Sequence, residues 1–581
     1  MLKGHSYVVG CSKYPDYPIN IFETDEFWIC IEGKIYGKTI EAINKETHAL
    51  IRRIFETTKT SEEDKRVIAD WLLKTDGDFV IYALNKKTKD FIIMNDVLGR
   101  LPFYYYNQND EILASREIQL ISYLIENEQH IDTKFDKMAI AQFLLFRHTL
   151  GNRTLLSDVY RLGPASLLRI HIDNFSIQVE SIYRFNFERK EHENKSIKDN
   201  AGRLVSLFTE ACKSRADDNS KNLVSLSGGL DSRAVAACLR KSNVPIYAVT
   251  STDPNWRPVD GNNTEPEIAE QIAKLLNIKW ENYGVMEVRA QDIIRMIKIK
   301  RGQIYLPYCY LLPFLEKVQH KYHTSRINFF TGDGANRFFG TYDIKARNLD
   351  HLISKIIQVR SFLPLREVAS LVEIDEKEIV DELRNILSSY PEESLSQKAV
   401  HYLYFEFDNK FIFEAEDIIR FYFWTVTPFY SIPFFKYAIN CPDKHKSKHR
   451  LKREFLINIS TSIAEIKTSN WGCSILSRKY KIMQSLLILY FKYPLLRKII
   501  KKLKDNQSYG YERDSKVIRC IEEQVKNCNV ISNHLSLKAV NKIINNCTDY
   551  NHFGADNLFT ITSVIEKTFC KNNVIERCYK E

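Results

Sequence analysis

Residues 223–240 read LVSLSGGLDSRAVAACLR, placing two adjacent glycines, an aspartate and two serines where an apolar run meets a helix-forming one. Gly228 and Gly229 permit backbone angles and close approach that a side chain would block, so consecutive N–H groups can line an anion cavity. Ser227 and Ser232 add hydroxyl donors, Leu226 closes the apolar run, and the following helix N-terminus adds partial positive charge. Such a cavity suits a phosphate chain. Asp231 would repel that chain unless a divalent cation bridges the two, as in magnesium–nucleotide sites. No lysine follows the glycines, so the loop is not a Walker A motif. Taken alone, the pattern also fits a tight turn with an Asp/Ser helix cap.

The elements around this loop divide the chain into unlike halves. Up to about residue 190, short strands alternate with turns: FWICIEGKIYG, then DGDFVIYALNKKTKDFIIMNDVLGRLPFYYY, with Asp76 and Gly77 opening a strand and residues 86–89 forming a hairpin tip. The charged stretch FERKEHENKSIKDNAG, residues 187–202, reads as a linker or an exposed helix start. After it, strands and helices alternate: LVSL, the helix from Ser232, VPIYAVTST, EPEIAEQIAKLLN and later INFFTG. That order predicts a parallel sheet with ligands at the carboxyl ends of its strands. From about residue 350 the pattern is mostly helical, without repeats or low-complexity tracts.

Composition bounds the class. A chain of 581 residues with 44% hydrophobic content is too long for one core and ample for globular folding, so two or more domains are expected. Its twelve cysteines are scattered, which predicts reduced thiols in a cytoplasmic protein, neither a disulfide framework nor a structural zinc site. The net charge of +10 spreads over 83 basic and 73 acidic residues and forms no nucleic-acid stripe. The densest basic run, LRKIIKKLKD near residue 500, follows SLLILYFKYPLL and reads either as a packed helix with a wet face or as a basic amphipathic element. Lys492 and Pro494 interrupt the apolar stretch, so no membrane span is expected. The opening MLKGHSYVVGC lacks a signal-peptide core.

Three further stretches give the loop a context. It resembles the pyrophosphate-binding loop of ATP pyrophosphatases, and FFTGDGANRFFGTY, residues 329–342, is similar to the signature G-E-G-x-D-E-x-F-G-G-Y of asparagine synthetases and their relatives. IEGKIYG is similar to the N-G-E-I-Y-N strand of their glutaminase domain, and MNDVLGRLPFYYY to R-D-x-x-G-x-x-P-L-Y-Y. The motif order therefore resembles the asparagine synthetase-like family, which includes β-lactam synthetases and lasso-peptide cyclases. The resemblance implies an α/β chain: an N-terminal αββα glutaminase-like sandwich over residues 1–190, then a doubly wound parallel-sheet ATP-pyrophosphatase domain over 195–581. The core of the second unit would run from about 200 to 460, with a helical extension over 460–581 as an added lid or partner surface. It further implies ATP and magnesium as cofactors. Leu226, Ser227, Gly228, Gly229, Asp231, Ser232, Gly332, Asp333 and Gly334 would bind ATP and pyrophosphate. Asp231, Asp333 and Asn336 would hold the metal.

The departures from the family pattern bear on the reaction. The glutaminase nucleophile is a cysteine directly after the initiator methionine, and that position holds Leu2; the asparagine that donates to the oxyanion aligns with Glu32, an anion. Glutamine hydrolysis is expected to be lost, and the internal Cys11 lacks the free α-amine that would let it substitute. Asn336 stands at a magnesium aspartate and Arg337 at its neighbouring glutamate, where Arg337 could contact a phosphate or be structural. Trp424 and Val426 replace a glutamate and an arginine before Pro428 and Phe429. The stretch KHKSKHRLKREF resembles K-x-x-L-R-E-A, so Lys448, with Leu451 and Lys452 completing the spacing, is the expected phosphate-contacting lysine and Lys446 the fallback. The resemblance implies an AMP-forming amide ligase acting on a small molecule or peptide that supplies a carboxylate and an amine, with a biosynthetic partner protein as a further expectation. Asparagine synthesis from ammonia and a catalytically impaired nucleotide-binding scaffold are the alternatives.

Overall fold

The computed structural model describes residues 2–4, 7–57, 59–108, 110–127, 134–188, 190–252, 265–323, 325–340, 345–492, 515–545, 552–570 and 573–579. The basic run near residue 500 lies outside them.

In the first half a six-stranded antiparallel sheet has the spatial order Ser176–Ser181, Ser166–His171, Phe91–Asn95, Gly77–Asn85, Phe27–Ile35 and Ile19–Glu23. A second sheet orders Glu111–Ser115, Tyr104–Gln108 and Val159–Arg161. Residues 86–89 are the hairpin tip as expected, with Asn85 Oδ1 accepting from the N–H groups of Lys87 and Thr88. The helices Ile40–Phe55 and Glu62–Lys74, capped by Thr39 and Ser61, bury Ile51, Ile54, Ile68 and Leu72 in one core with the six-stranded sheet. The helix Ile118–Asn127 packs beside the smaller sheet. This is the two-sheet sandwich with flanking helices that the resemblance implies.

The charged stretch after it ends in a helix. Ser196 and Asp199 form a capping box that starts Ile197–Arg215. Five parallel strands follow in the spatial order Lys279–Val285, Ile246–Thr252, Lys221–Ser225, Ile327–Phe330 and Trp424–Val426. Counted along the chain, the order is third, second, first, fourth, fifth. Its direction reverses between the first and fourth strands, where the loops after Ser225 and Phe330 part and leave a crevice. Side-chain alternation sends Leu223, Val249 and Phe329 into one core and Val224, Ala248, Phe330 and Val426 into the other, so both faces are covered.

Two expectations are corrected. The C-terminal extension is not an added lid: its helices Ser515–Asn527, Leu537–Asn545 and His552–Ile565 bury Ile521, Ile543, Leu558 and Ile561 in the core behind the parallel sheet. The thiols are not all reduced either. Cys528 and Cys570 form a disulfide, because the last helices fold back and bring two positions 42 residues apart to a Cα–Cα distance of 5.9 Å. Among the described residues no helix is long and apolar enough to cross a membrane.

The halves meet through buried charge. The helix Phe413–Arg420, sequence FEAEDIIR, is buried along its whole length. Glu414 binds Arg161, Tyr104 and Lys300; Glu416 binds Arg100; Asp417 binds Arg116 at 2.6 Å and Lys300 at 2.6 Å. Arg116 also reaches Glu32 at 3.1 Å, which ties the six-stranded sheet into the same network.

Candidate active site

The crevice between the first and fourth parallel strands opens into a cleft of about 370 Å³ at their carboxyl ends. The first strand ends at Ser225, Leu226 N–H still donates to Val249 O at 2.9 Å, and the helix Leu230–Lys241 begins beyond the two glycines. Within the loop, the Ser227 and Ser232 hydroxyls lie 2.9 Å apart, Ser227 N–H donates to Ser232 Oγ at 3.0 Å, and Gly229 N–H donates to Ser227 Oγ at 3.1 Å. The loop is thus preshaped by its own serines. Behind it, the fully buried Arg233 donates to the carbonyls of Gly228 (2.9 Å) and Gly229 (2.7 Å) and to those of Ile463, Ile466 and Lys467. The bonds to Gly228 and Gly229 turn the loop carbonyls toward the guanidinium, away from any anion in the cleft. Burial lowers the Arg233 pKa to about 10, which leaves it charged at neutral pH.

The second loop is held as tightly. A Cβ on Gly332 would meet Ser232 N at 2.5 Å, so only glycine lets the two loops touch. Gly334 has φ +88° and packs under the Tyr430 ring. Thr331 Oγ1 lies 3.0 Å from Thr427 Oγ1, and Thr427 donates to Glu416 at 2.8 Å, so the loop rests on the charged helix between the halves. Asp333 lines the cleft, and burial, with Glu416 nearby, pushes its carboxyl up to about 6. Gly228 stands behind the cleft wall, where a Cβ would strike Ser469 at 2.8 Å.

The lysine expectation is corrected. Lys448 is exposed and does not line the cleft. Lys446 is buried elsewhere, near Lys190 and Asp443. Lys452 lines the cleft instead: its ammonium lies 2.6 Å from Asp231 Oδ1 and donates to Asn336 Oδ1 at 2.9 Å. The contact with Asp231 is an ion pair by distance, without the direction of a hydrogen bond. The physical reason is a kink. Lys448 and His449 both adopt left-handed backbone, φ 55° and 56°, so the helix that carries the lysine starts only at Arg450. The kink also turns His449 into the cleft, where its Nδ1 meets the Tyr480 hydroxyl at 2.7 Å; burial, then Lys452, lower its pKa to about 3, so the ring is neutral.

The substituted positions also resolve. Arg337 is structural, with Nε donating to Asp408 at 2.7 Å and its guanidinium 4.7 Å from the Phe407 ring. Trp424 and Val426 are buried in the edge strand, where the Trp424 indole N–H donates to Tyr36 at 3.2 Å. Sequence reading missed Arg233, Lys452, His449, Tyr480 and the aromatic residues Tyr308, Tyr310 and Phe314 that line the opposite wall. Only Lys452 carried a signal, its place four residues after Lys448 in a basic helix start.

Comparison with known proteins accords with this geometry. A glutamine amidotransferase domain family matches residues 9–183, and the asparagine synthase family matches residues 203–462, in the order the two sheets take along the chain. The chain belongs to the asparagine synthetase-like family. Asparagine synthetase [glutamine-hydrolyzing] 3 from Bacillus subtilis (strain 168) is 25% identical over 233 residues, 37% of this chain and 34% of that protein. The chain thus spans about a third of the length of that curated relative. Two solved structures overlap it at low superposition. The NMN synthetase from Francisella tularensis is 13% identical and covers 36% of this chain and 93% of its own, with a TM-score of 0.19. The glutamine phosphoribosylpyrophosphate amidotransferase from B. subtilis is 9% identical and covers 49% and 75%, with a TM-score of 0.19.

In this asparagine synthetase-like chain Glu32, where the resemblance expects the oxyanion donor, is an ion-paired carboxylate. Glu32 accepts from Tyr17 at 2.5 Å, Tyr82 at 2.6 Å and Arg116 at 3.1 Å. Partial burial and Glu32 push the Cys11 thiol up, opposite to activation. In the cleft beside the Ser227–Ser232 loop, the lining includes the carboxylates of Asp231, Asp333 and Glu265 and the side-chain carbonyl of Asn336. Magnesium is held by one or two carboxylates completed by substrate phosphates and water, so this hard-oxygen set fits it together with a nucleotide. Among the described residues no cluster of three or more His, Cys, Asp or Glu makes a self-sufficient metal site.

Proposed function

We propose that this chain is an ATP-dependent, AMP-forming amide synthetase that works without glutamine hydrolysis, its first unit spanning residues 1–190 and its ligase unit 195–581. The observation that carries the reading is Lys452, held between Asp231 and Asn336 at the mouth of a self-shaped phosphate loop. The Ser227–Ser232 loop and the N-terminus of the helix Leu230–Lys241 would cradle the phosphates. Magnesium, held by Asp231 and Asp333 with Asn336, would neutralise charge on the phosphates. The substrate carboxylate oxygen attacks the α-phosphorus, the bond from that phosphorus to the bridging oxygen breaks, and pyrophosphate leaves. Lys452 would then release Asp231 and follow the developing charge on the α-phosphoryl oxygens. An amine attacks the acyl carbon, loses a proton and expels AMP. The pairing of Glu32 with Arg116 supports loss of the glutaminase step, so the amine would come from the substrate, from a second substrate or from free ammonia.

The test is pyrophosphate release from ATP and magnesium, wild type beside Asp231→Ala, with panels of carboxylates plus ammonia or amines and of linear peptides. Release that needs one acceptor and falls by about 10²–10³ in the variant supports the reading. Nucleotide binding without release under any acceptor would favour a scaffold, a reading to which Asn336 in place of a metal carboxylate lends weight.

A further inference from the structure

The cleft has two unlike walls. One is the phosphate loop. The other is built on the opposite face of the parallel sheet, where Phe329 alternates away from the loop side. There the 3₁₀ turn Leu306–Tyr310 runs into the helix Leu311–Lys321, whose Leu311, Phe314 and Leu315 recur at helical spacing along the face toward the sheet. Phe314, Leu315 and Phe329 form the buried floor, and Tyr308, Tyr310 and Leu311 are half-buried at the rim.

This wall is fixed before any ligand arrives. The Tyr308 and Tyr310 rings meet edge-on at 5.7 Å, and Phe314 packs edge-on against Tyr283 at 5.4 Å. The turn is pinned from the C-terminal extension: Leu306 N–H donates to Thr560 Oγ1 at 3.0 Å, and the fully buried Thr560 hydroxyl donates to Asp556 O at 2.8 Å. The extension therefore shapes the cleft through its buried side.

Charge makes the wall selective. Among the described residues lining the cleft the cation is Lys452, already shared by Asp231 and Asn336, while Asp231, Asp333 and Glu265 are acidic. A substrate that brings one carboxylate to the α-phosphate and an apolar body to the tyrosine wall buries that body against matching surface. Aspartate would place a second carboxylate against tyrosine, leucine and phenylalanine, where a charge needs a partner.

We infer that the wall of Tyr308, Tyr310, Leu311, Phe314, Leu315 and Phe329 selects an aromatic or branched aliphatic acid with a single carboxylate, in preference to aspartate. The inference rests on the adenylation reading above. Thr560 is a positioning residue for this wall.

The experiment is ATP–pyrophosphate exchange by the full chain with magnesium. The acids, supplied at equal concentration, are 3-phenylpropanoate, 4-methylpentanoate, N-acetylphenylalanine and aspartate. At least one of the first three is expected to support exchange roughly ten-fold above aspartate. Tyr310→Lys, a rim change that leaves the floor intact, should narrow or reverse that ratio. Thr560→Val should raise KM for the favoured acid while leaving KM for ATP unchanged, a split that general destabilisation would not produce. Aspartate as the best acid, with the ratio unmoved by Tyr310→Lys, overturns the inference and leaves adenylation standing. Exchange with none of the four acids, under conditions where ATP binds, also overturns the inference, and pyrophosphate release across the wider panels above then decides adenylation separately.

Discussion

In the seam between the halves, Arg116 is shared by Glu32 and Asp417 at 3.1 and 2.6 Å; in the cleft, Lys452 is shared by Asp231 and Asn336 at 2.6 and 2.9 Å. Both are buried cations between two oxygen acceptors, but their surroundings differ. At the seam each acid has further partners, Tyr17 and Tyr82 for Glu32 and Lys300 for Asp417, and the Asp417 side chain is 2% exposed. In the cleft the Asp231 side chain is 20% exposed and faces open volume. A cation enclosed by satisfied partners fastens the fold, whereas one whose partner opens to a cavity can exchange it for a ligand. Under the proposed function the two centres that the resemblance implies would differ along this line. Glu32 belongs to the fastener, and Asp231 in the cleft keeps an exchangeable pair.

The largest expected effect breaks the fastener. Arg116→Met leaves Glu32 and Asp417 short of a buried counter-charge and should lower stability by about 3–5 kcal/mol, read from the urea midpoint at unchanged slope. A loss no larger than a surface pair gives would mean that the seam does not join the halves. The cleft responds in rate. Lys452→Ala should lower pyrophosphate release by about 10²–10³ with native circular dichroism, and Lys448→Ala should leave release unchanged. Equal losses in the two variants would return the phosphate contact to Lys448.

How much of this was legible depended on the reach of each signal. The glycine loop at 227–232, the hairpin at residues 86–89 and the parallel sheet follow from glycine placement and short-range periodicity, which local sequence carries, while the G-D-G loop was marked by the family resemblance. The lysine was misplaced by four residues because two consecutive left-handed residues, Lys448 and His449, delay the helix, and neither residue type announces that conformation. FEAEDIIR carries four charges yet is buried, and its partners Arg100, Arg116, Arg161 and Lys300 lie more than a hundred residues away, out of reach of any local pattern. No local pattern marks Arg233, because its acceptors at Ile463, Ile466 and Lys467 are supplied only by the folded chain. The Cys528–Cys570 bond and the tail's place in the core are long-range in the same sense.

A third buried cation sharpens the comparison, because it matches neither pattern. Lys446 is 5% exposed, and burial, with Lys190 adding repulsion that Asp443 only partly offsets, lowers its pKa from 10.5 to about 8. Between pH 8 and 10.5 the unfolded chain therefore binds more protons at this position than the folded one, so stability rises with pH through that window. Below pH 8 the full cost is present, up to about 3 kcal/mol. Lys446→Met removes it: the variant should be more stable than the wild type at pH 7, and the difference should shrink as pH rises toward 10.5. Paired unfolding curves at pH 7, 9 and 10 measure that difference directly, and groups common to both proteins cancel from it. A constant difference across the three would show that Lys446 is neutralised by its surroundings as fully as Arg116 is, and the distinction between satisfied and unsatisfied buried cations would then have to rest on the cleft alone.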